Sequence, residues 1–412
     1  MAKITIRKKN HKNPFEELSA LLNIPNLESI YPHRQMEPWR RFDPAKLLPA
    51  LTESLRHGIS MSDFIINEPG DSDSKSSLKT ALNTATQWKK QDEVFLQKAR
   101  NNLKLFKKSE ATEFYEDLVS KSVGDDHTHI LRLSKNQTYE RAATIEVFPF
   151  DADKLQFNIF YIYGEESSSA TINLVKKSGA FDLSIIYVFQ EKNSELHLRY
   201  LDENNNPSHG VNFIKYHQEE GSVSKAGIYS LCNGQNKKIF VENNLRQNAA
   251  TEFTGIFLGR YSHVDHDFFI DHAESFSKSN LLFKMSVMDD SYGIFWGNAD
   301  IAPKTRGCEA YQQNKNLILG NNSRVDAIPR LGIHTENVIA AHGSATGDIS
   351  EDEIFYMMSR GLSYAEARKL LLRGFFEDVL RKSFDHDSDH PDVFLERIWM
   401  NIQNILGVEI SV

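Results

Sequence analysis

The sequence predicts a mainly β protein with a helical region at each end, and three observations carry that reading. Between Asp125 and Gly347 the chain is a series of short runs rich in β-branched and aromatic residues, separated by Gly, Asn, Asp and Ser. No helical pattern of ten or more residues interrupts them, which excludes a βαβ sheet, because parallel strands of that kind need crossover helices. On either side of this stretch, apolar residues recur at helical spacing. The expected organisation is a helical region over 1–124, a β body over 125–347 and a helical domain over 348–412.

The first region opens with a polar, basic stretch, Met1 to Pro14, with no apolar core of a secretory signal behind it. Phe15, Leu18, Leu21 and Leu22 then repeat at helical spacing, as do Leu47, Leu48, Leu51 and Leu55. Pro14 and Pro44 stand where a first helical turn tolerates a missing N–H. Gly70 to Ser77 is a polar linker into a longer helical run, Leu78 to Phe106, and a short helix over Ala111 to Val119 closes the region.

In the body, representative strands are Ile130 to Leu133, Thr144 to Phe148, Gln156 to Tyr163, Asp182 to Phe189, Lys238 to Val241, Glu252 to Leu258 and Ser291 to Trp296. A large sandwich and a coiled β-solenoid both fit these irregularly spaced strands. Corners bearing Asn314, Asn316, Gly320, Asn321 and Asn322 suit the solenoid, where stacked coils share one core. The helix period returns at Ser350 to Glu353, a capping box. Three helices follow: one carrying Ile354, Phe355, Met357 and Met358, one from Ala365 to Leu380, and one from Val393 to Leu406.

Composition narrows the function. The 412 residues are 40% hydrophobic and 25% charged, as in a globular protein, and 48 Lys+Arg against 56 Asp+Glu give a net charge of −8. Phosphate binding needs an excess of basic charge, so no nucleic-acid partner is expected. No apolar run reaches the ~20 residues that span a bilayer, so no membrane role is expected either. Cys232 and Cys308 are the only cysteines. They cannot form a four-cysteine cage or a CxxC zinc site, and they point to a reducing cytoplasm. Nucleotide-binding motifs and the GxSxG elbow are missing from the sequence.

The densest polar cluster is His263 to His272. On a strand, His263, Asp265 and Asp267 share one face and His266 points to the other. Such a pattern can hold a metal or do acid–base work, and it can equally be a polar strand edge. Asp385 to Asp392 reads as a solvated loop between helices. His342 lies at the seam between the β body and the last helices, and Cys308 reads as a buried, inert thiol. A β-helix hydrolase or lyase of polysaccharide, working through the His263–His272 cluster, is the enzyme reading these residues allow.

Several stretches of the last 160 or so positions, in order and spacing, resemble the SufB/SufD family of iron–sulfur cluster assembly proteins, and SufD more than SufB. They are His263 to His266 with Ile270 to His272, Tyr311 to Leu317, Val325 to Leu331, His342 to Gly347, Asp352 to Gly361 and Ala365 to Phe375. Arg34 to Phe42 resembles a short Trp-centred segment near the start of SufD proteins. The resemblance implies a parallel β-helix flanked by helical domains, acting as a non-enzymatic scaffold. It further implies pairing through the β-helix with a SufB-like subunit or with itself, and a SufC-like ATPase docked on the C-terminal helices. On this reading a transient iron–sulfur cluster, shared with the partner, is the cargo, and a flavin is a second cofactor the sequence leaves open.

His342 falls where SufD proteins carry a candidate cluster ligand. Two positions depart from the family. Ala340 replaces a frequent cysteine two residues before that histidine, and Ile333 occupies a position that is cysteine in SufB proteins, with His334 beside it. The sulfur ligands would then come from the partner, or the chain is a divergent paralogue with a structural role. In the dock the resemblance points to Arg360, Gly361, Arg368 and Arg373 for charge, and to Phe375 and Phe376 as an apolar anchor.

Overall fold

A computed structural model describes residues 14–24, 26–67, 81–106, 112–149, 151–204, 207–384 and 392–407. The basic stretch before Pro14, the linker Gly70–Ser77 and all but the last residue of the loop Asp385–Asp392 lie outside the described residues. The body is a β-solenoid of about eight turns, which decides between the two architectures the pattern left open.

Two parallel sheets form its walls. One contains β3 (Thr128–Leu133), β5 (Leu155–Gly164), β7 (Phe181–Gln190), β9 (Ser208–Gln218), β11 (Gln235–Leu245), β13 (His263–His272), β15 (Tyr292–Ile301) and β17 (Arg324–Ile333). The other contains β4 (Thr138–Pro149), β6 (Ser169–Lys176), β8 (Glu195–Asn204), β10 (Val223–Asn233), β12 (Ala250–Arg260), β14 (Lys278–Met288), β16 (Glu309–Ile318) and β18 (Ile339–Gly347). Register is regular: Lys238 lies opposite Asp265, Asp265 opposite Ile294, and Ile294 opposite Asp326.

One corner of the coil recurs as a column of left-handed residues. Asn136, Ser167, Asn193, Gly221, Asn248, Phe276, Gly307 and Asn337 all have φ between 56° and 69°. The N–H of each of the first seven donates to a carbonyl of the next coil, as Asn193 does to Glu220 O and Asn248 to Ser275 O. Asn tolerates this conformation and Gly adopts it freely, so the column pins where each coil turns. At Gly307 a side chain is excluded twice, by φ of 65° and by the Phe276 ring, 2.5 Å from where a Cβ would sit.

Alternation sorts each strand into an inner and an outer face. Inward residues make a core with Phe253, Phe268, Phe283 and Phe295 at its centre, ring centroids 5.3 to 6.0 Å apart. Lys176 and Lys237 also point inward, paired with Asp182 and Asp202. Taking such ions out of water is costly, and only their mutual attraction and further hydrogen bonds offset it.

The outer face of the first sheet is covered by the N-terminal region. It contains α1 (Pro14–Leu22), α2 (Leu27–Ile30), α3 (Leu48–His57), α4 (Ala85–Gln91), α5 (Glu93–Leu103) and α6 (Glu113–Ser122), joined to the sheet through Trp39, Phe95, Tyr115, Phe213 and Phe240. Two strands lie where the helical reading expected none. β1 (Ile59–Asn67) pairs antiparallel with β4 and parallel with β5, and β2 (Leu82–Thr84) pairs antiparallel with β3. The first coil has open edges, and pairing satisfies their N–H and C=O groups better than another helix would. The expected run from Leu78 to Phe106 is accordingly divided. Thr84 caps α4 with a capping box, and the Asp92 side chain accepts from Phe95 N to start α5.

Three C-terminal helices follow: α7 (Glu351–Ser359), α8 (Tyr364–Ser383) and α9 (Val393–Leu406), capped by Ser350, Ser363 and Asp392. Phe376, Val379, Leu380, Phe394, Ile398 and Ile402 bury against Leu201, Tyr229, Leu231, Ile256 and Leu258 on the outer face of the second sheet. Each such side chain contributes about 1.5–3 kcal/mol by leaving water.

Candidate functional site: the open end of the solenoid

β17 pairs with β15 and β18 with β16, and no strand follows them among the described residues. The start of the solenoid is closed by β1; its end is not. Every residue of β17 and β18 is exposed or only partly buried, whereas most residues of the mid-body strand β12 are buried. The inner face changes chemistry here. One coil below the end, Gln312, Asn314 and Asn316, all buried, follow Leu281, Phe283 and Met285 in register. Above them, in register, stand His342, Ser344 and Thr346. Asn316 Nδ2 donates to Thr346 Oγ1 at 3.0 Å, and the Ser344 hydroxyl lies 3.3 Å from Asn314 Oδ1. Pro329 sits in β17, where its missing N–H is tolerated because the strand is terminal. Asn314 and Asn316, expected at a corner of the coil, instead lie inside β16 and face inward with Gln312, so their register under His342 corrects that expectation.

His342 therefore lies in the exposed inward row of the last coil. His334 lies just past the end of β17, exposed, with Nε2 3.0 Å from Asp300 Oδ1. Cys308 is buried one coil in, packed with Ala299, Ile301 and Ala310 and against Leu331 and Ala340. The structure brings it together with His272, which the sequence had considered separately. Ser277 Oγ lies 2.8 Å from His272 Nδ1 and 3.5 Å from Cys308 Sγ, and Ser279 Oγ lies 2.8 Å from His272 Nε2. Burial pushes the His272 pKa down to about 4, so the ring is neutral. Cys232 is deep in the core, where burial, with Asp202 nearby, raises its thiol well above the ordinary range. With two exposed imidazoles at this end, His334 and His342, and two buried thiols, the described residues supply no set of soft donors that could cage a cluster alone.

Residues 148–375, more than half of the chain, match the family model described as SUF system FeS cluster assembly, SufBD core domain. The chain belongs to the SufBD family. A SufBD family protein of Mycobacterium leprae is 36% identical over 128 residues, 29% of this chain and 33% of the relative. SufD of Escherichia coli is 26% identical over 159 residues, 39% and 35% of the two chains. A SufBD family protein of Porphyra purpurea is 27% identical over 180 residues, 38% and 37%. Each match thus spans little more than a third of the relative's own length. In this SufBD chain the parallel solenoid is the body, and the family is described as one of iron–sulfur cluster assembly.

The cluster of polar residues at His263 to His272 is not one site. His266 and His272 point into the core, and His266 Nε2 lies 2.8 Å from Ser230 Oγ. His263, Asp265 and Asp267 face outward and are covered by the N-terminal region. His263 lies between Phe42 and Tyr292, and Asp265 binds Lys238 Nζ at 2.8 Å. Among the described residues no group of three or more ligating side chains is arranged for a metal ion. A polysaccharide could not reach these buried carboxylates, which corrects the enzyme reading of this segment.

On the C-terminal helices, several residues expected at a dock are tied to this SufBD chain itself. Phe376 is fully buried, so it cannot serve as an exposed anchor. Phe375 is partly buried, with its ring under Lys284 at 4.5 Å. The Arg373 guanidinium lies over Trp399 at 5.5 Å, and Arg368 donates to Leu319 O at 2.9 Å. Arg360 is exposed beside Tyr356, and Gly361 ends α7 at φ of 97° with open space around it. The unspent apolar surface is on the neighbouring turns: Phe355 is 74% exposed and Tyr356 60%, with Met358 and Leu370 near them in the same helices. The helical period singled out Phe355 and Met358 as an apolar face without showing that nothing covers it.

Proposed function

We propose that this chain is a SufD-like scaffold subunit whose open solenoid end is completed by a second chain, SufB-like or another copy of itself. The observation that carries this is the last coil. Its strands have a bare edge, its inward residues are exposed or half-buried, and its second-sheet row turns to amides, hydroxyls and His342 just past Leu281, Phe283 and Met285. Unpaired strand edges invite pairing with another strand, and a polar, half-wet end suits a contact that forms and opens. Local relatives with the printed description SufD or SufBD family support the same reading.

In this arrangement the cluster is cargo at the junction. His342 contributes one imidazole, oriented by the last coil, and the thiolates come from the partner, since Ala340 and Ile333 stand where family members carry cysteine. A SufC-like ATPase docks on the C-terminal helices, over the exposed Phe355, Tyr356, Met358 and Leu370 with Arg360 at the rim. The fully buried position of Phe376 assigns that residue to holding α8 on the solenoid. Reconstitution with iron and sulfide tests the division of labour. A stable chromophore is expected with a SufB-like chain present, reduced by His342→Ala. A stable chromophore at one cluster per isolated chain would count against it.

A further inference from the structure

Glu37 to Lys46, two short 3-10 turns (Glu37–Trp39 and Pro44–Lys46) with a bend between them, lies as a strap across the outer face of the first sheet. Trp39 and Phe42 are fully buried under it. The indole packs edge-on to Phe240 at 5.7 Å, and Phe42 lies on His263 at 4.8 Å. The strap is fastened at its margin by ion pairs to the end of the solenoid, Arg41 to Asp326 and Glu37 to Arg330, both partners on β17. Tyr292 Oη also donates to Asp326 at 2.6 Å.

Under the strap is a closed chamber holding one ammonium and two carboxylates. Lys238 Nζ lies 2.8 Å from Asp265 Oδ2 and 3.7 Å from Asp267 Oδ2, and 5.6 Å from the centre of the Trp39 ring. Asp265 Oδ1 is buried with no hydrogen-bond partner. If both carboxylates are ionised, the chamber carries an uncompensated negative charge out of water, which is costly. A proton on the pair removes that charge, whereas opening the strap leaves the charge in place and lets water solvate it.

We propose that the Glu37–Lys46 strap is a proton-coupled clasp: it is held shut when the Asp265–Asp267 pair carries a shared proton, and it loosens when that proton leaves, baring the outer face of β11 to β17 beside the open end. Burial pushes Asp265 up to about 7 and raises Asp267 as well, so the proton is exchanged in the neutral range. The other charged or titratable groups around the pair are Lys238 and Glu242 on β11, the latter paired with Lys215 and its own pKa raised by burial, Arg330 and Asp326 on β17, and Glu37, Arg41 and Lys46 on the strap. His263 is neutral throughout, because burial, with Lys46 and Lys238 adding to it, holds its pKa down at about 4. The closed form binds more protons than the open one between the ordinary carboxylate range and about 7. Closure is therefore strongest at low pH and weakens as pH rises through that window.

Hydrogen exchange of the full chain, corrected for the intrinsic pH dependence of exchange, reads the clasp directly. Opening of peptides covering 37–46 should rise by up to about tenfold per pH unit between about pH 5 and 7 and level off above, while protection of β14 and β16 stays constant. Asp265→Asn should remove the slope. Arg41→Gln should raise opening at every pH and keep the slope. A flat wild-type profile overturns the proposal whether or not the variants fold. So does a slope that survives in Asp265→Asn with β14 and β16 protected, or in Asp267→Asn if the first variant fails to fold.

Discussion

The middle and the last coil of this solenoid are built on the same backbone repeat and differ in what fills it. At β12 to β15 the inward positions are Phe253, Phe268, Phe283 and Phe295, fully buried and in ring contact. At the end, the inward row of the second sheet carries Gln312, Asn314 and Asn316 on β16, then His342, Ser344 and Thr346 on β18, while β17 of the first sheet keeps Val325 and Leu331 inward. A solenoid coil with neighbours on both sides can exclude water, and apolar filling gains most there. A coil with one neighbour cannot, and amides and hydroxyls that bond to each other or to water lose little when it is bare. The difference teaches that the middle is filled to stay shut, whereas the end is filled with groups that tolerate water, as the proposed pairing with a second chain requires.

Substitutions should separate the two regions by size. Phe283→Ala in the middle should cost about 3–5 kcal/mol in urea unfolding, the usual penalty for emptying a packed aromatic site. Asp202→Ala leaves Lys237, fully buried, without its closest counter-charge, and should cost about 3–5 kcal/mol as well. A value under 1 kcal/mol for either would mean that the middle coils relax freely, and the contrast would fail. Gly307→Ala, strained by its φ and by the Phe276 ring, should cost about 1–3 kcal/mol. At the end, His342→Ala should change stability by less than about 0.5 kcal/mol while lowering cluster retention in the complex.

Acid sharpens the comparison from another side. Burial depresses His266 to about 3, with Lys238 adding to it, and His272 to about 4. The unfolded chain takes up those protons near the ordinary imidazole value and the folded chain does not. Stability is present above about pH 6.5 and is lost as pH falls toward 4, by up to about 1.4 kcal/mol per unit for each ring. Urea midpoints measured across that range should fall toward acid. The drop should be smaller in His272→Gln, and an equal drop would remove His272 from the account.

Much of this organisation is legible in the residues. Alternation between Asp125 and Gly347 announced the β body, and the cap at Ser350 with the helical period after it announced the last helices, whereas Asp392, read as loop, caps α9. The coil period is also written in the chain, in the left-handed column Asn136, Ser167, Asn193, Gly221, Asn248, Phe276, Gly307 and Asn337. It escaped reading because Ser and Phe interrupt the Asn/Gly signal, and because asparagines elsewhere, such as Asn314 and Asn316, face the core. β1 was hidden because its partner strands lie more than seventy positions away in sequence. At the candidate site, His342 stood out through its motif. The buried state of Asp265, Asp267 and Phe376 did not, because what covers each comes from remote parts of the chain: Trp39 and Phe42 in one case, the second sheet in the other.

Light scattering on the chain mixed with a SufB-like partner tests the central claim most directly. The account predicts a one-to-one complex that is lost when Ser344 and Thr346 are both changed to Lys, with circular dichroism and the urea midpoint unchanged. A complex that survives those two charges at the bare end, or a chain that stays monomeric by itself and with every such partner, would contradict it.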